Sequence, residues 1–406
     1  MILVVGAGAA GLAAAIFARA GERPVTVIES TDDGGRKILI SGGGRCNILP
    51  DKLEPRRFVT DSPAPLVQRL LRSWPLNAQR AFFEDQVGVP LAFEPDSRKW
   101  FPRSNRARDV RDGLIAHARR HGVAFQFKTE CQSLRPSTAG WLVETTRGEL
   151  QATAVILATG GLSVPATGST GVGLRVSHAL GHVVHETYPA LTPLIAAPAR
   201  HAALSGVSLS VRLRAHSSRG SAEARGGFLF THRGYSGPSV LDVSHIAVRS
   251  GGAGDARATI RARWCDLGEP EWRHALIDAT GLTINAVARH VPQRLAEQLL
   301  AECGIPADRR AAELRRDERT KLVDALVSYE LPWTGDEGYR KAEVTGGGVA
   351  LDEVDPGTLE SRRHRGLFLC GELLDAFGPI GGHNFAWAWA TGRLAGIGAS
   401  DARPPA

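Results

Sequence analysis

The chain has 406 residues, 43% of them hydrophobic and 22% charged, which is ordinary globular usage and excludes disorder as the main state. At about 150 residues per domain there is room for two or three units. The net charge of +7 comes from 49 basic and 42 acidic side chains. The basic ones are nearly all arginine and are scattered. The densest cluster, Arg103, Arg106 and Arg108, carries no aromatic ladder. The surplus is read as surface solvation, and no nucleic-acid partner is expected. No run of about 18 apolar residues occurs, so no membrane span is expected. The apolar stretch 9–18 lacks the flanks of a signal peptide. Cys46, Cys131, Cys265, Cys303 and Cys370 form no CxxC pair and no zinc-type spacing. They read as free thiols in a reducing, cytoplasmic setting, with no metal. Glycine is the anomaly, at 46 residues, and its clusters carry the motifs.

Residues 2–5 are a short apolar run suited to a buried parallel strand. Gly6-Ala-Gly8-Ala-Ala10-Gly11 follows, then a predicted helix over 12–20 stopped by Gly21, then a strand over 25–28 ending at Glu29. Gly6 permits the tight turn, Gly8 lets a pyrophosphate approach the backbone, and Gly11 lets helix and strand pack closely. The helix start offers free N–H groups to the phosphates, and Glu29 is the acceptor for ribose hydroxyls. A purely structural glycine turn is the plain alternative, but it does not explain the acid. The unit fits NAD or FAD, while Glu29 disfavours NADP.

The next segment separates the two. Residues 34–47 read as a glycine-rich loop with two cationic points, Arg36-Lys37 and Arg45, and an embedded Ile38-Leu39-Ile40 run. A simple NAD enzyme would enter a crossover helix here. Glycines 42–44 let the chain lie close to a flat, bulky ligand, and backbone N–H groups there can bind a flavin edge or phosphate oxygens. Ser41, Gly43, Cys46 and Asn47 are placed with Lys37 and Arg45 around the cofactor. A flexible surface loop is the alternative. Residues 64–87 read as helices, and Val110, Leu114 and Ile115 share one face of another. Alternating runs at 124–128, 140–145 and 151–157 suggest strands, with Thr159 and Gly160 closing the last against the cofactor. Pro189 and Pro193 suggest a boundary. Residues 190–265 carry β-like runs, with Gly/Ser/Ala-rich loops at 216–226 and 250–256. From 269 to 330 the pattern is helical. A strand over 366–370 then ends in Gly371-Glu372, with Glu372 set to bond the ribityl chain. Gly381, Gly382, Asn384 and Phe385 lead into a predicted helix over 385–395, whose start favours negative charge on a reduced ring. Trp387 and Trp389 read as core, and the tail at 402–406 as frayed.

The strings GRKILISGGGRCN, ILATGGLSVPATGSTGVG, LFTHRGYSGP, EVTGGGV and LCGELLDAFGPIGGHNFAWAWATG together resemble the bacterial aminoacetone-oxidase-family FAD-binding proteins, also called YhiN/BaiN-like flavoproteins. The resemblance runs from Met1 to about Gly396. It implies an α/β fold: a Rossmann-like, glutathione-reductase-like FAD-binding domain interrupted by a β-barrel-like insert with a helical subdomain. The sequence fits 1–188 and 343–406 for the FAD domain, 189–268 and 331–342 for the insert, and 269–330 for the helices. The resemblance further implies non-covalent FAD, backbone contact between Cys131 and adenine, and oxidation of small amines or amino ketones by O2. Cys131 is equally well a small half-buried strand residue. Two positions depart from the family: His383 stands where tyrosine is common, and Trp100 where an aliphatic residue is.

Flavin carries the hydride chemistry and the protein positions substrate. His383 is the candidate catalytic base for an amine or alcohol donor; a capping or ring-stacking histidine is the other reading. His232 is a candidate to close the pocket from the insert, or is a polar turn residue. Phe101 and Pro102 are candidate pocket walls or ordinary core. Cys46 allows a covalent flavin link or redox thiol. No CxxxxC pair exists, which excludes a dithiol mechanism, and 168–173 is only a faint echo of a second nucleotide fingerprint. Three alternatives to the oxidase stand beside it. One is NAD(P)H-dependent reduction of an enone-like C=C bond. Another is flavin-dependent RNA modification, which needs the arginines gathered beside the flavin. The last is redox sensing without turnover.

Overall fold

Five parallel strands organise the first and last parts of the chain: Ile2–Val5, Val25–Glu29, Ala124–Phe127, Ala154–Leu157 and Leu367–Leu369. In the sheet they run Leu367–Leu369, Ala154–Leu157, Ile2–Val5, Val25–Glu29, Ala124–Phe127. The first strand is thus central, with Ile2 opposite both Val25 and Ala154. Every residue of four of these strands is buried, as a parallel sheet covered on both faces demands. The order reverses between Ile2–Val5 and Ala154–Leu157, and ligands of open α/β sheets bind at the carboxyl ends of strands at such a reversal. The computed structural model describes residues 1–251 and 256–402, divided into one unit of 1–188 and 344–402 and a second of 189–343.

In the first unit the helix Ala9–Ala18 packs along the helix His383–Asp401. The predicted helix over 385–395 is therefore too short at both ends. Gly392 and Gly396 are the contact. A Cβ on them would sit 2.3 Å from the Ala10 carbonyl oxygen and 2.4 Å from that of Ala14. The loop expected over 34–47 also contains regular structure, a short helix Arg36–Ile40 followed by a 3-10 turn Ser41–Gly44. The strands Cys131–Ser137, Gly140–Thr145 and Gly148–Ala152 form a small antiparallel sheet between two strands of the parallel one. Trp387 and Trp389 are core.

The second unit is a seven-stranded antiparallel sheet. Its two edge strands, Tyr329–Glu330 and Gly335–Asp336, are joined by residues 331–334, a link of at most about 18 Å, so the sheet curls round on itself. Helices Glu269–Ile277, Thr283–Ala288, Gln293–Cys303 and Arg316–Val327 follow the long strands, and Leu295, Leu299 and Leu300 are buried in the core. One helix, Pro238–Val248, lies where β-like runs were expected. Pro238, at the first turn after Gly237, starts this helix. Residues 252–255 of the expected 250–256 loop, and 403–406 of the expected frayed tail, lie outside the described residues. Among the described residues no helix is long and apolar enough to cross a membrane.

Candidate cofactor site

The site is built at the sheet's reversal point. Gly6 leaves its strand at φ 105°, and a Cβ there would meet the Ala158 carbonyl oxygen at 2.5 Å. Only glycine makes this turn between the two adjoining strand ends. A Cβ on Gly11 would lie 1.8 Å from the Gly6 carbonyl oxygen, whereas one on Gly8 would meet nothing within 4 Å. The first and third glycines thus close helix onto strand, and the second faces open space. Gly8 caps the helix Ala9–Ala18 without a side-chain hydrogen bond, leaving first-turn N–H groups for an anion. Ala10 lies against Gly371, 2.7 Å from where its Cβ would sit, which joins this turn to the C-terminal strand.

Glu29 is buried at the end of its strand. Its Oε2 accepts the Ala7 N–H at 2.7 Å, and its Oε1 accepts the Thr31 N–H and Oγ1–H, both at 2.8 Å. The carboxylate is oriented by backbone, and the Thr31 hydroxyl is the partner that a ribose hydroxyl would replace. The Thr129 N–H donates to the Glu29 carbonyl at 2.8 Å, so the segment entering Cys131 lies beside this end of the cradle. Cys131 is buried opposite Thr145, and burial, with the Glu130 charge, pushes its thiol up to about 11.

The second loop splits the residues assigned to it. Arg36 turns away to Asp33, at 2.8 Å, and Asp32. Lys37 turns inward: its Nζ lies 2.6 Å from Glu372 Oε2. Ser163 Oγ donates to Glu372 Oε1 at 2.6 Å, and the Thr345 N–H donates to the same oxygen at 3.0 Å. Thr345 Oγ1 in turn accepts the Leu162 N–H at 2.7 Å. Ser163 and Thr345 were missed because each sits inside a quoted motif without a charge to single it out. Ser41 closes the loop, accepting the Cys46 N–H at 3.0 Å and donating to Ile38 at 2.7 Å. Gly42, Gly43 and Gly44 are exposed and left-handed, and a Cβ on Gly43 would touch nothing. Cys46 is fully buried, and burial pushes its thiol up to about 12 against a hydrogen bond with Ser41. A thiol so held stays protonated, neither nucleophile nor redox partner at neutral pH. Arg45 leaves the loop for Glu94, at 2.8 Å, and Asn105, at 3.0 Å, with its guanidinium 4.0 Å over Phe101. Phe101 is buried beneath it, and Pro102, next in the strand, is buried too.

Thr159 and Gly160 follow the strand Ala154–Leu157, and Gly160 takes φ 70°. A Cβ on Gly173 would meet Thr159 Oγ1 at 2.1 Å. At the C-terminal turn, a Cβ on Gly382 would lie 3.0 Å from the Asn47 carbonyl oxygen, which places the turn against the second loop. Gly381 lies against Lys99, whose Cε would be 2.9 Å from its Cβ. Asn384 locks the turn, accepting the Gly378 N–H at 2.8 Å and donating to the Gly378 carbonyl at 3.0 Å. Phe385 stacks on Trp389, with ring centroids 5.4 Å apart. His383 is buried edge-on to Phe58, and its Nδ1 is closed to water without a partner. Burial, with the nearby Arg57 charge, pushes its imidazole down to about 4, so it is neutral at pH 7. His232 lies in the second unit, exposed in the turn after Gly220–Phe230.

These residues fit a bound dinucleotide. There is open space at Gly8, an uncapped helix start, a backbone-oriented buried carboxylate and an exposed glycine loop. The fold and this cradle define an FAD-dependent oxidoreductase. The chain belongs to the family described as HI0933-like protein Rossmann domain, whose model matches residues 1–398. It is 30% identical over 394 residues to the Escherichia coli ribosomal RNA dihydrouridine synthase, covering 96% of this chain and 95% of that one. It is also 30% identical over 408 residues to the 3-dehydro-bile acid delta(4,6)-reductase of Clostridium scindens, covering 98% of each. In fold it is similar to the 3-ketosteroid-delta4-(5alpha)-dehydrogenase of Rhodococcus jostii, with a TM-score of 0.53 at 15% identity, covering 98% of this chain and 96% of that one.

Proposed function

We propose that the chain uses non-covalently bound FAD to reduce a carbon–carbon double bond conjugated with a carbonyl, with NAD(P)H as electron donor. One observation carries this reading. Two relatives that match the chain end to end at equal identity are named for different substrates but one kind of bond change. Making dihydrouridine saturates a uracil double bond conjugated with a ring carbonyl. A delta(4,6)-reductase acting on a 3-dehydro compound saturates double bonds conjugated with a ketone.

FAD supplies the hydride chemistry when bound. A hydride enters at the β-carbon, the π electrons move toward the carbonyl oxygen, and a proton from water completes the α-carbon. NAD(P)H supplies the hydride and leaves as NAD(P)+. The chain's own part is to bind and to favour negative charge. The helix His383–Asp401 begins behind Gly381 and Gly382, and Lys99 stands against the same turn; both favour an anion in front of it. His383, neutral and packed on Phe58, is a positioning residue for the turn. Oxidation of small amines by O2 asks for a base at the substrate, and a closed, weakly basic imidazole serves that poorly. The reductase reading needs no such base. A reducing cytoplasm, where NAD(P)H is at hand, suits an enzyme with five free cysteines.

The test is turnover under argon. Holoenzyme with NADPH and either a conjugated cyclic ketone or uridine-containing ribosomal RNA is expected to yield an acceptor heavier by two hydrogens. NADPH oxidation that requires O2, releases H2O2 and leaves both acceptors unchanged would overturn the reading.

A further inference from the structure

The hairpin formed by Leu91–Glu94 and Lys99–Pro102 is tied to two loops of the cofactor site through one set of its residues. Arg45 covers Phe101 and bonds Glu94, and Lys99 lies against Gly381. Its other row pairs Phe93 with Trp100 across the strands. Their rings lie 5.2 Å apart, tilted by 47°, and the Arg80 guanidinium stands 4.8 Å over Trp100. Phe93 is 38% exposed, the one exposed phenylalanine among the described residues. Arg98, in the turn of the hairpin, and Arg103, Arg106 and Arg108, in the segment that follows it, are all exposed. Over residues 91–109 basic side chains outnumber acidic ones five to three. Arg98 and Arg106 hold surface partners, Asp51 and Asp109. Such exposed pairs are weak, so exchange for a phosphate costs little.

We propose that this hairpin docks single-stranded RNA. Bases flanking the target stack on Phe93 and Trp100, and the phosphates follow Arg98, Arg103 and Arg106. An exposed ring beside guanidinium groups suits this ligand, because every base offers a face to stack and every linkage a charge to pair. A steroid would instead ask for an enclosed apolar slot. The structure thus supplies the aromatic partner that the arginine run lacks in sequence. The inference rests on the uracil arm of the proposed function and names its substrate class.

The test is fluorescence anisotropy of the full-length holoenzyme with a labelled, uridine-containing 20-nucleotide single-stranded RNA. Engaging about three phosphates should weaken binding roughly 20-fold between 50 and 200 mM salt. Phe93→Ala should weaken it about tenfold and Phe93→Trp restore it. Arg103→Ala should lower the logarithmic salt slope by about 0.7. Flavin absorbance and melting temperature, read alongside, report whether each variant is folded. No RNA binding, unchanged binding by folded Phe93→Ala, or failure of a folded Phe93→Trp to restore it would overturn the proposal. RNA binding that depends on Phe93 without any double-bond reduction keeps this inference and removes the proposed function. Double-bond reduction with Phe93-independent RNA binding does the reverse.

Discussion

Lys37 and Glu372 lie 335 positions apart in the chain, yet their side chains meet at 2.6 Å. The contact joins the loop after the second strand to the strand end that precedes the C-terminal turn. Both side chains are mostly shielded, 27% and 17% exposed, and Ser163 and Thr345 hold the carboxylate from the other side. Lys37→Met leaves that carboxylate without its cation. It is expected to cost about 1–3 kcal/mol of stability and to weaken FAD binding, read by urea unfolding and by flavin titration.

Gly8 and Gly11 separate packing from ligand binding. Gly11→Ala drives a Cβ to 1.8 Å from the Gly6 carbonyl, and an overpacked core typically loses about 1–3 kcal/mol or more. The apo-protein should melt well below wild type. Gly8→Ala meets no protein atom, so the apo-protein should melt within about 0.5 kcal/mol of wild type. Its methyl enters the open space at the start of the helix Ala9–Ala18, where a pyrophosphate is expected to lie, so FAD should be lost. Melting of apo-protein beside retained flavin absorbance reads both.

Stability should fall in mild acid. The folded imidazole of His383 is pushed down to about 4 by burial, below its unfolded value near 6.5. Between those values the unfolded chain binds the extra proton, so stability falls as pH drops from 6.5 to 4 and this loss ends below 4. One such group is worth on the order of 3 kcal/mol. His245, pushed down to about 4 by burial, acts in the same direction. Urea midpoints at pH 7 and pH 5 test this, and His383→Leu should flatten the difference.

Cys46 should be inert. A thiol raised to about 12 by burial should not react with thiol reagents in the folded protein at pH 8. Acid precipitation should release all the flavin and leave a polypeptide of unmodified mass. Retained yellow protein would point to a covalent link.

Much of the cradle was legible in the residues. The strand, the three glycines and Glu29 sit within 30 positions, and their spacing alone states their geometry. The glycine clusters after later strands were legible for the same reason. What escaped is what long-range packing decides. Arg36 and Arg45 carry the same charge as Lys37, but neighbouring carboxylates turn them elsewhere. His383 looks poised on a loop, whereas Phe58, far away in sequence, buries it. Gly392 and Gly396 matter only through the partner helix Ala9–Ala18, which leaves no room for a side chain on them and lies far away in sequence. In the insert, the helix Pro238–Val248 lies inside a stretch read as β-like, and its start at Gly237-Pro238 is the local signal that separates it.

The most direct test of the account is one anaerobic turnover of pre-reduced holoenzyme. Mixed with uridine-containing ribosomal RNA or a conjugated cyclic ketone under argon, the flavin is expected to regain its oxidised absorbance as the acceptor gains two hydrogens. A flavin that stays reduced with every such acceptor, and recovers only when O2 is admitted, would contradict it.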